Sequence, residues 1–410
     1  MKLKTLSTCY LFFCTCLLGF AQEIKAKNLK KDLQYLASDK NEGRGTGTAG
    51  EARARAYIIK RFKKIGLKPL GENGTWEQVY PAKKGVPPNI STVNTSNIVA
   101  FLDNGQKESL VIGAHYDHLG LGDQGSSLLA NSGGVIHNGA DDNASGVSGM
   151  IALANYYAKN GITEKYNFIF TAFSGEELGL FGSKFLLDNP TFDIKSINCM
   201  INLDMIGRYR ADKGLAIGGI GTSTFWEKNA VKTAEALGLK FTLDSSGVGP
   251  SDHTSFYLKD IPVLFAFTGA HGEYHKPTDD ADLINYEGQK LVLSFIQAII
   301  EKLDASPRID FKKTNSNPHG GAVKSSFKVT MGVIPDYAYD KGGMRLDGVS
   351  DGKPAAKAGL KTGDVILKIG EYPIKDVYGY MEALGKFSKG IKTTVEIQRN
   401  GKTETLELIF

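Results

Sequence analysis

Cysteine is scarce in this chain. Four of its 410 residues are Cys, and three of them, Cys9, Cys14 and Cys16, fall within the first sixteen positions. Beyond that stretch only Cys199 remains, which excludes both an intramolecular disulfide framework and a thiolate metal site. Cys199 lies in the apolar run Ile197–Leu203 and reads as a small buried hydrophobe. Charge of one sign is also lacking. Lys and Arg number 49 against 44 Asp and Glu, a net +5 spread along the chain, so neither a nucleic-acid stripe nor a polybasic membrane patch is present. No internal repeat or low-complexity tract occurs. A Gly-x-Ser-x-Gly elbow is missing too, which argues against a serine hydrolase.

Long apolar runs are absent as well. The run Tyr10–Phe20 is shorter than the ~20 residues a spanning helix needs. Lys2 and Lys4 precede it, and the small residues Gly19 and Ala21 end it. That pattern predicts a removable export signal over residues 1–21, hence a periplasmic or secreted protein without stable membrane insertion.

What is present is a series of short apolar runs separated by helix-like stretches. Strands are expected at Ser96–Leu102, Ser109–His115, Asn167–Phe173, Asn198–Asp204 and Ile261–Phe267, with an antiparallel hairpin as the alternative for the first two. Helices are expected twice between Lys27 and Gly66, then at Ala144–Ala158, Thr222–Ala236 and Tyr286–Leu303. The alternation predicts an α/β domain over residues 22–305, with a mixed, mostly parallel sheet sandwiched by helices. Residues 306–324, rich in Pro, Asn, Lys and Gly, read as a linker. Residues 325–410 carry β-like runs with Gly turns and one helix near Val377–Phe387, a small β-rich domain.

Four polar clusters stand where apolar strands end: Gly113–His118, Gly139–Asn143, Ser174–Glu177 and Asn202–Asp204. A fifth, His271–Asp280, follows the last strand. Ligands bind beyond the carboxyl ends of parallel strands. So many carboxylates brought together without counter-charge would be strongly unfavourable, and a divalent metal pair supplies that charge. Imidazole and carboxylate donors without cysteine point to zinc, and two metals need one bridging carboxylate.

The strings His115-Tyr-Asp117, Gly139-Ala-Asp141-Asp142-Asn143-Ala-Ser-Gly146, Ser174-Gly-Glu176-Glu177-Leu-Gly, Asn202-Leu-Asp204-Met and His275-Lys-Pro-Thr-Asp279 resemble the M28 family of zinc aminopeptidases, in family order. The resemblance implies two Zn2+ ions, His115 and Asp204 on one, Glu177 and His275 on the other, and Asp141 between them. It implies Glu176 as general base and Asp117 as the group that orients His115. It also places a cis peptide bond after the bridging aspartate. His118, His137, His253 and His271 do not match ligand positions. The implied activity is removal of residues from peptides with free N-termini. A carboxypeptidase or glutaminyl cyclase of the same architecture, and a non-catalytic peptide-binding protein, are the alternatives.

The stretch Lys353-Pro-Ala-Ala-Lys-Ala-Gly359-Leu-Lys-Thr-Gly363-Asp364 resembles a PDZ domain. That likeness implies a C-terminal peptide ligand added as a strand. Gly342-Gly343-Met344-Arg345 loosely resembles the carboxylate-binding loop of such domains.

Overall fold

The computed structural model describes residues 23–84, 90–123, 127, 132–269, 271–314, 329–335, 341–349, 352–375 and 377–410; the expected export signal lies outside them. Among the described residues no helix is long and apolar enough to cross a membrane.

The chain enters through α1 (Ala26–Leu36) and α2 (Ala49–Ile65). Thr48 caps α2 by accepting the Glu51 N–H, while the Glu51 carboxylate reaches back to the Gly47 N–H at 2.8 Å. Gly66, at φ 100°, closes the helix in the left-handed conformation. Next come β1 (Lys68–Pro69), β2 (Glu77–Lys84), β3 (Ser91–Leu102), β4 (Ser109–His115), α3 (Gly146–Tyr157) and β5 (Asn167–Phe173). Then follow α4 (Phe181–Asp188), β6 (Ile197–Leu203), β7 (Leu215–Gly218), α5 (Thr224–Ala236), β8 (Phe241–Leu243) and α6 (His253–Tyr257). The first domain ends with β9 (Val263–Phe267) and α7 (Tyr286–Asp304).

These nine strands form one sheet in the order β1-β3-β5-β4-β6-β9-β7-β8, with β2 also on β3. Its centre, β5-β4-β6-β9, is parallel throughout. Every residue of β4, β5 and β6 is buried, as expected of strands covered on both faces. β3 and β4 do not form the alternative hairpin. β3 instead crosses β4 and pairs antiparallel with β5, Ile98 opposite Ala172. Cys199 is a buried free thiol in β6, and burial pushes its pKa up.

The linker is shorter than its composition suggests. Ile309 is buried against the first domain, and its N–H donates to the Asn198 Oδ1 at 3.0 Å. The Asp310 carboxylate accepts from the Ser223 and Thr224 hydroxyls at 2.8 and 2.7 Å.

A second sheet follows, built from β10 (Val333–Pro335), β11 (Met344–Val349), β12 (Val365–Ile369), β13 (Tyr372–Pro373), β14 (Lys392–Arg399) and β15 (Lys402–Ile409). Helices α8 (Pro354–Lys357) and α9 (Val377–Leu384) accompany it, around a separate core that includes Met331, Leu346, Ile366 and Ile397. β11, which begins at the Gly342-Gly343 turn, is flanked by β10 on one side and β12 on the other. It therefore offers no edge for strand addition. The ends of this sheet among the described residues are β10 and β15.

Candidate metal centre

Because β4, β5, β6 and β9 run parallel, their carboxyl ends open on one edge of the sheet. His115 ends β4, Ser174–Glu177 follow β5, Asp204 follows β6, and the loop after β9 carries His275. The Asp141–Asn143 turn leads into α3 at the same edge. Asn143 fastens it there: its Nδ2 donates to the Leu203 carbonyl at 2.9 Å and its Oδ1 accepts the Met205 N–H at 3.1 Å. Asp279, from the His275 loop, accepts the N–H groups of both Asp141 and Asp142 at 3.0 Å.

The carboxylate at the middle of the cluster belongs to Asp142. Its Oδ1 stands 3.3 Å from the His115 Nε2 and its Oδ2 3.2 Å from the His275 Nε2. His115 Nε2 also lies 3.4 Å from Asp204 Oδ1, and His275 Nε2 lies 3.1 Å from Glu177 Oε2. The expectation for Asp141 is corrected by one residue. Its Oδ1 accepts the Gly207 N–H at 2.7 Å and its Oδ2 faces His271 Nε2 at 3.2 Å, so it points away from His115 and His275. The cis peptide bond joins Asp142 to Asn143, directly after the central aspartate.

Asp117 organises the other side. His115 Nδ1 lies 3.1 Å from the Asp117 carbonyl and 3.7 Å from its carboxylate, which leaves Nε2 to face the cluster. The Asp117 Oδ1 accepts the Glu176 N–H at 3.2 Å, tying the base-bearing loop to β4. Glu176 Oε2 is 3.9 Å from His115 Nε2. Burial, with the charges of Glu177, Asp204 and Asp252, holds the Glu176 carboxyl well above the usual carboxylate range against the pull of His115. Glu177 goes the other way. Although burial pushes it up, His275 and His118 bring it down to about 2.

The remaining histidines have separate places. His118 Nδ1 stands 2.7 Å from Glu177 Oε1, so it orients the glutamate from behind and leaves Oε2 to the cluster. At that distance the contact is a hydrogen bond, shorter than the spacing of two ligands on one ion. His271 bridges Asp141 and Glu273. His253 is stacked on Phe265 with ring centroids 4.3 Å apart, and burial takes its pKa down to about 3. His137 is buried beside Ser127 and the Val135 carbonyl.

The donor set fits zinc. With bonds of about 2.0 Å, the ligand atoms of a tetrahedral ion stand about 3.3 Å apart, close to the 3.1–3.4 Å that separates His115 Nε2 from Asp142 and Asp204 and His275 Nε2 from Asp142 and Glu177. Asp204 Oδ1 is buried and has no hydrogen-bond partner, an orientation that costs free energy unless a cation faces it. Without such a cation, burial lowers the affinity of His115 and His275 for protons, but the surrounding carboxylates raise it well above the ordinary value. Protons and metal therefore compete for the same nitrogens.

Residues 97–300 match the model of peptidase family M28, and residues 322–409 match a PDZ domain. The uncharacterized protein YfbL of Escherichia coli is 27% identical over 312 residues, covering 67% of this chain and 87% of that protein. A probable zinc metalloprotease of Phaeosphaeria nodorum is 29% identical over 217 residues, and the match spans 48% of this chain and 42% of the fungal protein. Among solved structures, a leucine aminopeptidase precursor and a glutaminyl cyclase, both from Bacteroides thetaiotaomicron, share the fold. Their TM-scores are 0.57 and 0.56, at 16% and 17% identity, covering 69% and 68% of this chain and 99% and 98% of theirs. By these matches and by the donor set at the sheet edge, residues 97–300 carry a peptidase domain of family M28 whose relatives are zinc peptidases, and residues 322–409 carry a PDZ domain behind it.

Proposed function

We propose that this chain is an exported aminopeptidase that works with two zinc ions, His115, Asp142 and Asp204 holding one and His275, Asp142 and Glu177 the other. The observation that carries the reading is the Asp142 carboxylate, which presents one oxygen to each histidine at 3.2–3.3 Å. When bound, such ions polarise a substrate carbonyl and lower the pKa of water toward ~7.

The chain's own residues supply the rest. Glu176 takes a proton from the attacking water and returns it to the departing amine, a task that suits a carboxylate whose proton affinity burial has raised. Asp117, through the Glu176 N–H and the His115 ring, keeps base and ligand in register. The cavity in front of Glu176 has carboxylates at one end, Asp142, Glu176, Glu177 and Asp204, which attract a protonated α-amine. Its wall of Met205, Leu243, Phe265 and Phe267 accommodates an apolar N-terminal side chain. Neither lysine nor arginine is among the described residues lining it. A carboxypeptidase needs a cation there for the substrate's terminal carboxylate, so this lining favours action at the N-terminus.

The PDZ domain is read as a docking module for a peptide C-terminus. Strand addition would take place on β10, one of the two edges of its sheet.

Free amino-acid release from peptides beginning with Leu, Phe or Gln, each with and without N-acetylation, tests the reading. Release from unblocked Leu and Phe peptides, abolished by a chelator and restored by two equivalents of zinc, is expected. Release from C-termini, or activity indifferent to chelation, would overturn it. Ring closure of N-terminal Gln without peptide cleavage would assign the site to a cyclase.

A further inference from the structure

Arg44 is 1% exposed, the one arginine buried to this degree among the described residues. A buried guanidinium ordinarily meets a carboxylate. This one gives its hydrogen bonds to backbone carbonyls. Nε donates to Tyr116 at 2.9 Å, one terminal nitrogen donates to Leu36 and Asn138 at 2.9 and 2.6 Å, and the other donates to Gly139 at 2.9 Å.

Those carbonyls are not scattered. Tyr116 separates His115 from Asp117, while Asn138 and Gly139 lead into the Asp142 turn. One planar fork thus fixes the spacing of the two loops that carry His115 and the central Asp142. The segment around it is built to stay in place. Gly43, at φ 64°, passes so close to the neighbouring loop that a Cβ would meet the Gly120 and His137 carbonyls at 2.4 and 2.5 Å. The Arg44 carbonyl accepts the His118 N–H at 3.2 Å, and Thr46 Oγ1 donates to Asp117 Oδ2 at 2.9 Å. Burial draws the Arg44 pKa down to about 10, with Asp142, Asp117, Asp279 and Glu177 pulling it back up, so the side chain stays charged at neutral pH. An apolar residue would fill the same space without the cost of burying a charge. This segment also lies ahead of residues 97–300, which match the family model.

We infer that Arg44 is a positioning residue of the metal centre, whose guanidinium fork sets the separation of the His115 and Asp142 loops and thereby the affinity of the site for zinc. The inference rests on the metal assignment proposed above. Lysine cannot reproduce the fork, because a single ammonium reaches fewer of the four carbonyls and lacks the fixed plane.

The test is competition for zinc between the folded protein and a chromogenic chelator, for the parent, Arg44→Lys and Arg44→Gly. Cobalt-substituted absorption spectra report ligand geometry in parallel. Arg44 has φ 50°, a conformation glycine adopts freely, so Arg44→Gly leaves a cavity without backbone conflict. The expected result is a 10–100-fold loss of zinc affinity in both variants, as for other residues that orient ligands. An altered cobalt spectrum should accompany it, and methylguanidinium should recover affinity in Arg44→Gly but not in Arg44→Lys. Zinc affinity within twofold of the parent, even with a lowered melting temperature, would overturn the inference and leave Arg44 a purely structural residue. If the parent itself held no zinc, the metal assignment beneath the inference would fall with it.

Discussion

The two domains treat a buried carboxylate in opposite ways. In the C-terminal domain, Asp364 is 1% exposed and fully answered by its own chain. Arg399 reaches it twice, Nε to Oδ1 at 2.7 Å and a terminal nitrogen to Oδ2 at 2.6 Å, and the Lys361 N–H completes the set at 2.8 Å. In the catalytic domain Asp117, Asp142, Asp204 and Asp279 are buried near one another, and the guanidinium beneath them spends its donors on carbonyls. Matched charge makes a structural pair. Charge left unmatched on a rigid edge makes a place for a cation.

The contrast breaks most completely if Asp142 is neutralised. Asp142→Asn should lose most of its zinc by elemental analysis and all measurable peptidase activity, whereas Asp141→Asn should keep its zinc, because Asp141 bonds Gly207 and His271 instead. Next in size is Glu176→Gln, expected to lower kcat by about 10²–10⁴-fold with zinc content unchanged. A variant that lost its zinc instead would make Glu176 a ligand.

The opposite domain supplies the third test. Arg399→Met leaves Asp364 buried without its partner, and chemical denaturation should show the C-terminal domain weakened by about 3 kcal/mol. Cleavage of short peptides should not change. A coincident loss of activity would mean that the two domains unfold as one unit.

The smallest effect concerns Glu51, buried under the base-bearing loop, where it accepts from Ser174 and Thr95. Burial raises its pKa to about 7 from an ordinary 4.5. Since the folded state binds this proton more tightly, the stabilisation is complete below about pH 4.5 and is lost as pH rises through 7. Between pH 5 and 8 the stability of Glu51→Gln relative to the parent should therefore improve by about 2.5 kcal/mol. A constant difference across that range would place the ionised form of Glu51 in the native state throughout.

Much of the centre was legible because three of its ligands end or follow a buried strand. His115, Glu177 and Asp204 stand where uninterrupted apolar runs stop, and the parallel order of those runs brings them together. The one-residue error at Asp141 has a plain cause. Two adjacent aspartates share one composition, and only the turn geometry decides which faces the cluster. β2 escaped notice because Pro81 reads as a strand breaker, yet β2 pairs only with β3 and tolerates it. Arg44, Thr46 and Glu51 were hidden for another reason. Polar residues within a helical lead-in look like a solvated surface, and nothing local marks the strand ends that fold over them. In the PDZ domain the Gly342-Gly343 turn drew attention, but pairing on both sides of β11 is a fact of topology that no short motif carries.

The burial of Cys199 has a practical consequence. A chain that begins at Gln22 holds this one thiol, sealed inside β6, so it is silent toward maleimides. Cysteines introduced at the exposed Lys232 of α5 and Lys402 of β15 would be the sole labelling sites, without any need for a cysteine-free background. A donor–acceptor fluorophore pair at those positions would turn the two domains into a ruler, on which peptide capture by one and turnover by the other can be read in the same molecule.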